Sequence, residues 1–197
     1  NEGLAARAVL VGDVMTDICF LVRDRVAAQP PSLPAGFTAG NYLVATIHRA
    51  DNTDDPDRLE AIAAALGSIP VPVLLLAHPR LVARASELGI DLVRGQVSVT
   101  RPLPYPEMVA AVLHSRGVVT DSGGLQKEAY LLGAPCTTLR TETEWPETLA
   151  AGWNVLAPDL AGVDELAMRP RPDADRPPVY GEGDAAQRVV QTLTERA

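Results

Sequence analysis

The chain has 197 residues, 47% hydrophobic, 21% charged and 4% aromatic, and 17 Lys+Arg against 25 Asp+Glu give a net charge of −8. That is apolar material enough for one globular domain, which excludes a disordered segment, and the acidic balance excludes a protein that grips nucleic acid through its phosphates. No apolar run approaches the roughly 18 uninterrupted residues of a membrane span, and the start lacks the basic, apolar, small-residue order of a signal peptide, so a cytoplasmic protein with no membrane partner is expected.

The first ten residues contain no Met and run into the apolar, β-branched stretch Ala8 to Val11, which predicts a strand; the opening reads as mid-protein. Gly12-Asp13 signals a turn, and Val14 to Val26 carries Ile18, Leu21, Val22 and Val26 at helical spacing. Gln29 to Gly40 holds three prolines and two glycines, which deny both helix and ladder hydrogen bonds and mark a linker.

Continuous apolar runs then alternate with amphipathic helices. Strands are predicted at Tyr42 to Ile47, Val71 to Ala77, Val97 to Thr100, Gly117 to Thr120, Cys136 to Leu139 and Asn154 to Leu156. Helices are predicted at Asp57 to Leu66, Leu81 to Leu88, Tyr105 to His114 (opening with Pro106), Leu125 to Leu132 (ended by Gly133), Pro146 to Ala151 and Ala185 to Glu195. Arg169 to Pro178 reads as an exposed connector. Short, continuously hydrophobic strands separated by helices are the signature of a parallel sheet covered on both faces, so the fold class is doubly wound α/β, Rossmann-like. Such sheets bind ligands beyond the C-terminal ends of their strands. Cys19 and Cys136 stand far apart with no partners at metal-ligand spacing, which points to two buried free thiols and neither a disulfide nor a zinc site.

The strongest local signal is GVVTDSGGLQKEA, Gly117 to Ala129. A buried strand runs into Asp121-Ser122-Gly123-Gly124, and a helix follows at once. Ser122 can cap that helix or donate its hydroxyl, the glycines let backbone amides approach a ligand, and the positive end of the helix dipole favours a phosphate. A plain N-cap remains open. Glu128, one turn in, can accept hydrogen bonds from two vicinal hydroxyls, or be an ordinary solvated glutamate. Lys127, the single lysine, is expected to be solvated. His48 and Arg49 follow directly on a strand, where a cation pair suits a pyrophosphate and a histidine can protonate a leaving phosphate oxygen. His78 stands at the end of the next strand, while His114 reads as a partly exposed helix residue. Arg140 to Glu147 (RTETEWPE) offers charge around Trp145 and is weak alone.

In chain order, VGDVMTDI (11–18), TIHRADNTDD (46–55), AHPR (77–80), RPLPYPEM (101–108), VTDSGGLQKEAYLLGAPCTTLRTETEWPE (119–147) and GEGDAAQRVV (181–190) resemble the non-hydrolysing UDP-N-acetylglucosamine 2-epimerases. These have the two-domain architecture of GT-B glycosyltransferases. The resemblance implies that residues 1–28 are the last strand and helix of an N-terminal domain, 29–40 a linker, 41–180 a UDP-binding Rossmann-like domain and 181–197 a C-terminal helix. It implies Ser122, Gly123 and Gly124 on the diphosphate, Glu128 on the ribose and His48 beside the leaving group as the catalytic residue, with Arg49, His78 and Arg140 near the nucleotide. The implied partners are UDP and a UDP-N-acetylhexosamine, with no cofactor and no metal, in cell-surface polysaccharide biosynthesis, and a homodimer is expected. The family reaction removes the C2 proton, expels UDP to leave an enolised glucal, and returns UDP with the opposite C2 configuration. Its proton-moving carboxylates belong to the N-terminal domain, so this chain resembles the C-terminal half and is expected to be inactive alone, with the apolar face of a lost interface exposed. Two letters depart from the pattern: QKEA stands where many members have QEEA, and Trp145 stands where an arginine follows the TE pair. The donor half of a GT-B glycosyltransferase and a non-catalytic nucleotide-sugar-binding domain are the alternatives.

Overall fold

The computed structural model describes residues 3, 8–29 and 31–195. Its first element, α1 (Val14–Val26), begins where Asp13 accepts a hydrogen bond from the Met15 amide at 2.8 Å. Six strands follow: β1 (Leu43–Thr46), β2 (Val73–Leu76), β3 (Val97–Thr100), β4 (Gly117–Thr120), β5 (Cys136–Thr138) and β6 (Asn154–Leu156). All pairings are parallel and the order is β3-β2-β1-β4-β5-β6. This is the doubly wound order, and its switch point lies between β1 and β4.

The helices between them start on local signals. Asp55 caps α3 (Pro56–Gly67), which opens on proline; His78 caps α4 (Pro79–Leu88), also opened by proline; and α5 (Tyr105–Leu113) has Pro106 in its first turn. Ser122 caps α6 (Gly123–Leu132), and Gly133 ends it at φ 73° in the left-handed region. The chain continues through α7 (Pro146–Ala150), α8 (Val163–Met168) and α9 (Ala185–Glu195). Alternate strand side chains feed two cores. Val44, Leu74 and Val118 pack with α1, α5 and α6, whereas Leu43, Ala45, Val73, Leu75 and Val119 pack with α3, α4 and α8. Cys19 and Cys136 are buried free thiols, and burial pushes them up to about 11 and about 12.

Several expectations change. Ala8 to Val11 is not a strand: no described segment pairs with it, and Leu10 is 90% exposed, so an apolar run without a ladder partner stays irregular. Lys127 is not solvated, being 7% exposed and ion-paired with Asp13 while its ammonium lies over the Trp145 ring at 4.3 Å. The single turn α2 (Ala50–Thr53) and α8 were not anticipated, being too short for a periodic signal. The connector Arg169 to Pro178 is exposed along most of its length, yet its arginines reach inward: Arg169 donates to the carbonyls of Cys136 and Trp153, and Arg176 to those of Tyr130 and Leu131. His114 is the half-buried C-cap of α5. An exposed apolar face is present on α1 and α9, with Val14, Ile18, Leu21, Val190 and Leu193 all open. None of the helices formed by the described residues is long and apolar enough to cross a membrane.

Candidate functional site

The register of β1 on β4 (Leu43 opposite Gly117, Thr46 opposite Thr120) ends both strands at the same level, with their threonine hydroxyls 2.6 Å apart. Beyond them opens a cleft of about 440 Å³. It gathers His48 from the end of β1, His78 from the end of β2, and Ser122, Gly124 and Glu128 from the start of α6, against an apolar wall of Leu103, Met108 and Leu125. Five of the eight candidate residues thus meet in one concavity at the switch point, where crossover geometry leaves strand ends uncovered.

Asp121, to which sequence reasoning gave no role, organises this end of the sheet. It is fully buried and accepts hydrogen bonds from the His48 amide at 3.0 Å, the Arg49 amide at 2.9 Å and Asn52 Nδ2 at 3.1 Å. His48 Nδ1 lies 3.2 Å from its Oδ1. Burial alone would raise this carboxyl; the donors from His48, Asn52 and Arg49 outweigh it and hold the group below its ordinary value. In return the Asp121 hydrogen bond raises the His48 pKa, against partial burial and the nearby Arg49. The His48 loop is therefore fixed to the opposite strand end, and its imidazole is biased toward the protonated form. The one-turn α2 exists because Asn52 is pulled inward to Asp121 and the Leu139 carbonyl. The sequence signal for this role was an Asp directly after a buried strand, where only a buried partner makes a carboxylate tolerable.

At the other wall Ser122 Oγ accepts from the Leu125 amide at 3.4 Å while the Ser122 amide donates to Thr120 Oγ1 at 2.9 Å, so the serine is a helix cap as well as a cleft residue. First-turn amides of a helix have no intrahelical acceptor; here the Leu125 amide is taken by the Ser122 hydroxyl, and Gly124 of the same turn lines the cleft. Gly123 is placed differently: Trp145 Nε1 donates to its carbonyl at 2.7 Å, and a Cβ there would stand 3.1 Å from Glu144 Oε2. Glu128 is half-buried, and burial raises its carboxyl against the pull of Tyr105 and Lys127. His78 Nδ1 accepts from the Arg80 amide at 3.2 Å, so this histidine caps α4 at the cleft rim.

Arg49 and Arg140 do not line this cleft. They face a neighbouring cavity of about 340 Å³ with Asn52 and Arg58. Arg140 grips Glu144 with both guanidinium nitrogens at 2.7 and 2.8 Å and holds that carboxyl down to about 2. Among the described residues that line the main cleft Glu128 is the one carboxylate, and among the described residues no group of three His, Cys, Asp or Glu side chains is arranged to hold a metal ion.

The sheet order, the switch-point cleft and the open helix start define a Rossmann-like α/β domain of the kind that forms one half of GT-B proteins. Residues 1–194 match the family model described as UDP-N-acetylglucosamine 2-epimerase, and the chain belongs to that family. It is 39% identical to UDP-2,3-diacetamido-2,3-dideoxy-D-glucuronate 2-epimerase of Pseudomonas aeruginosa, over 99% of this chain and 56% of the relative. It is 30% identical to a UDP-N-acetylglucosamine 2-epimerase homolog of Methanococcus maripaludis, over 98% of this chain and 56% of the relative. The chain spans about half the length of the curated relatives it matches. A similar solved structure is the UDP-GlcNAc 2-epimerase of Methanocaldococcus jannaschii in complex with UDP-GlcNAc and UDP, with TM-score 0.77, 27% identity, and 95% of this chain on 54% of that one.

Proposed function

We propose that this chain is the UDP-binding half of a UDP-N-acetylhexosamine 2-epimerase. The observation that carries this reading is the meeting of an Asp121-braced His48, the α6 start and Glu128 in one cleft, in a chain of the epimerase family. In this reading Ser122 and the α6 amides hold the diphosphate, Glu128 accepts the two ribose hydroxyls, and His78 closes the rim. His48 donates a proton to the diphosphate oxygen as the sugar C1–O bond breaks, and takes it back when UDP re-adds. Its raised pKa suits that role, because more of it is imidazolium at neutral pH.

Removal of the C2 proton needs a base, and its return to the opposite face needs an acid. The cleft of this chain offers Glu128 as its one carboxylate among the described lining residues, already committed to ribose. Binding without turnover is therefore the expected behaviour of the chain by itself. Calorimetric titration tests this: UDP binds saturably, TDP and pyrophosphate more weakly, and Glu128→Ala weakens UDP at least tenfold, the scale of a lost charged contact pair of about 1.4 kcal/mol or more. UDP binding indifferent to Glu128→Ala defeats the site. Deuterium appearing at C2 of UDP-GlcNAc incubated with the chain in D2O defeats the claim of no turnover.

The 39% identity to a uronate 2-epimerase favours a second reading of the sugar, in which it carries a carboxylate. Comparing the two UDP-sugars as competitors of UDP decides between them.

A further inference from the structure

The loop between β5 and α7 lays an anion of the protein's own beside the start of α6. Glu144 Oε2 lies 3.1 Å from where a Cβ on Gly123 would stand, and two guanidinium groups converge on this carboxylate. Arg140 meets it with two hydrogen bonds at 2.7 and 2.8 Å, and Arg49 Nη1 lies 4.0 Å away. The Arg140 side chain is 9% exposed whereas that of Glu144 is 51% exposed, so the cation is sunk in the wall and the carboxylate faces water. The residues beside it are tied down. Thr143 Oγ1 donates to Gln126 Oε1 at 2.6 Å and accepts from the Trp145 amide at 3.0 Å, while the Trp145 indole holds the Gly123 carbonyl. Glu144 can leave its partners by side-chain rotation alone, with the loop still anchored on α6.

A carboxylate held by Arg140 and 4.0 Å from Arg49, beside a helix start, occupies cations that a phosphate there would draw on. The cleft proper is short of free cations. Among the described residues lining it Arg80 is the one arginine, and its guanidinium is engaged by Asp54 at 2.8 and 3.1 Å.

We propose that Glu144 is a resident counter-ion of the diphosphate subsite: a bound nucleoside diphosphate displaces its carboxylate and takes over Arg140 and Arg49. This rests on the reading of the cleft as a UDP site. Two anions beside one helix turn repel each other, and the repulsion is relieved only when the carboxylate turns away to solvent. The exchange subtracts the Arg140–Glu144 contact from the affinity for UDP.

The test is titration of the chain and of Glu144→Gln with UDP, inorganic pyrophosphate and uridine. Removing one half-exposed charge tightens UDP and pyrophosphate by roughly three- to tenfold. Uridine, which has no phosphate, gains nothing. Arg140→Gln weakens UDP, and combining it with Glu144→Gln cancels the gain; should Arg140→Gln not fold, the single-variant titrations decide alone. UDP affinity that is unchanged or weaker in Glu144→Gln overturns the exchange, as does an equal gain for uridine. Glu128→Ala keeps the two levels apart. A chain that loses UDP with Glu128→Ala but ignores Glu144→Gln retains the site and refutes the exchange, whereas one that ignores both, or binds neither UDP nor pyrophosphate, refutes both.

Discussion

Asp121 and His48 are 73 residues apart in sequence and share a short contact at the floor of the cleft. Their effects on each other set a pH window. The folded pKa of His48 is raised, so its contribution is full below the ordinary value of 6.5 and is lost as pH rises through the folded value. The folded pKa of Asp121 is lowered, so its contribution is present above the ordinary value of 3.8 and is lost as pH falls through the folded value. Asp121→Asn is expected to move the His48 titration to lower pH, read from its imidazole NMR shifts, and to destabilise the chain by about 1–3 kcal/mol because the amide cannot accept every hydrogen bond the carboxylate does. An unmoved His48 titration would show that the contact does not set its charge. The decline of UDP affinity with rising pH should follow the same titration, and should start at lower pH in the variant.

At the scale of elements, α1 and α6 are joined by one ion pair. Lys127 on α6 reaches the Asp13 cap of α1 across 114 residues of sequence, beneath the Trp145 and Tyr180 rings. Burial works against the Asp13 carboxylate, and the Lys127 ammonium and the Met15 amide overcome it, so its pKa lies below the ordinary value. Lys127→Ala leaves that carboxylate without its partner and is expected to cost roughly 2 kcal/mol in urea unfolding at neutral pH, between the values for surface and buried pairs. Because the folded Asp13 pKa is lowered, the difference between the two proteins should shrink as pH falls below 3.8. A difference that persists in acid would assign the loss to packing on Trp145. Lys127 and Trp145 are thus in contact with each other.

Across the whole molecule the chain is closed by contacts between its distant parts. Asp17 of α1 accepts from the Ala185 and Ala186 amides at 3.0 and 2.8 Å and so caps α9. Arg169 crosses the β5–β6 edge, donating to the Cys136 carbonyl at 2.7 Å, the Trp153 carbonyl at 3.1 Å and Thr137 Oγ1 at 3.0 Å, and burial lowers its pKa. Arg169→Met keeps the stem and removes those donors. It is expected to lower stability by about 1–3 kcal/mol, the cost of lost charge-assisted hydrogen bonds, the Trp153 carbonyl keeping the Cys136 amide at 2.8 Å, and to leave UDP affinity unchanged because the arginine lies away from the cleft. Unaltered thermal unfolding would show that water replaces the guanidinium.

What depends on neighbours along the chain is legible in the amino-acid sequence. The six strands, most of the longer helices, the Asp13 turn, the Ser122 cap, the Gly133 stop and the placing of His48, His78 and Ser122 at strand ends all follow from hydrophobic period, turn chemistry and capping within a few residues. Even there the short elements α2 and α8 escaped, since one or two turns carry no period, and the run Ala8 to Val11 misled, since a strand exists only with a partner. Tertiary structure alone decided the strand order, the role of Asp121, the burial of Lys127, and the division of the cationic residues between the cleft and the cavity beside it. The reason is that the energy of a buried charge is set by which groups the fold brings within hydrogen-bond reach, and for Asp121 and Lys127 those groups lie 69 to 114 residues away.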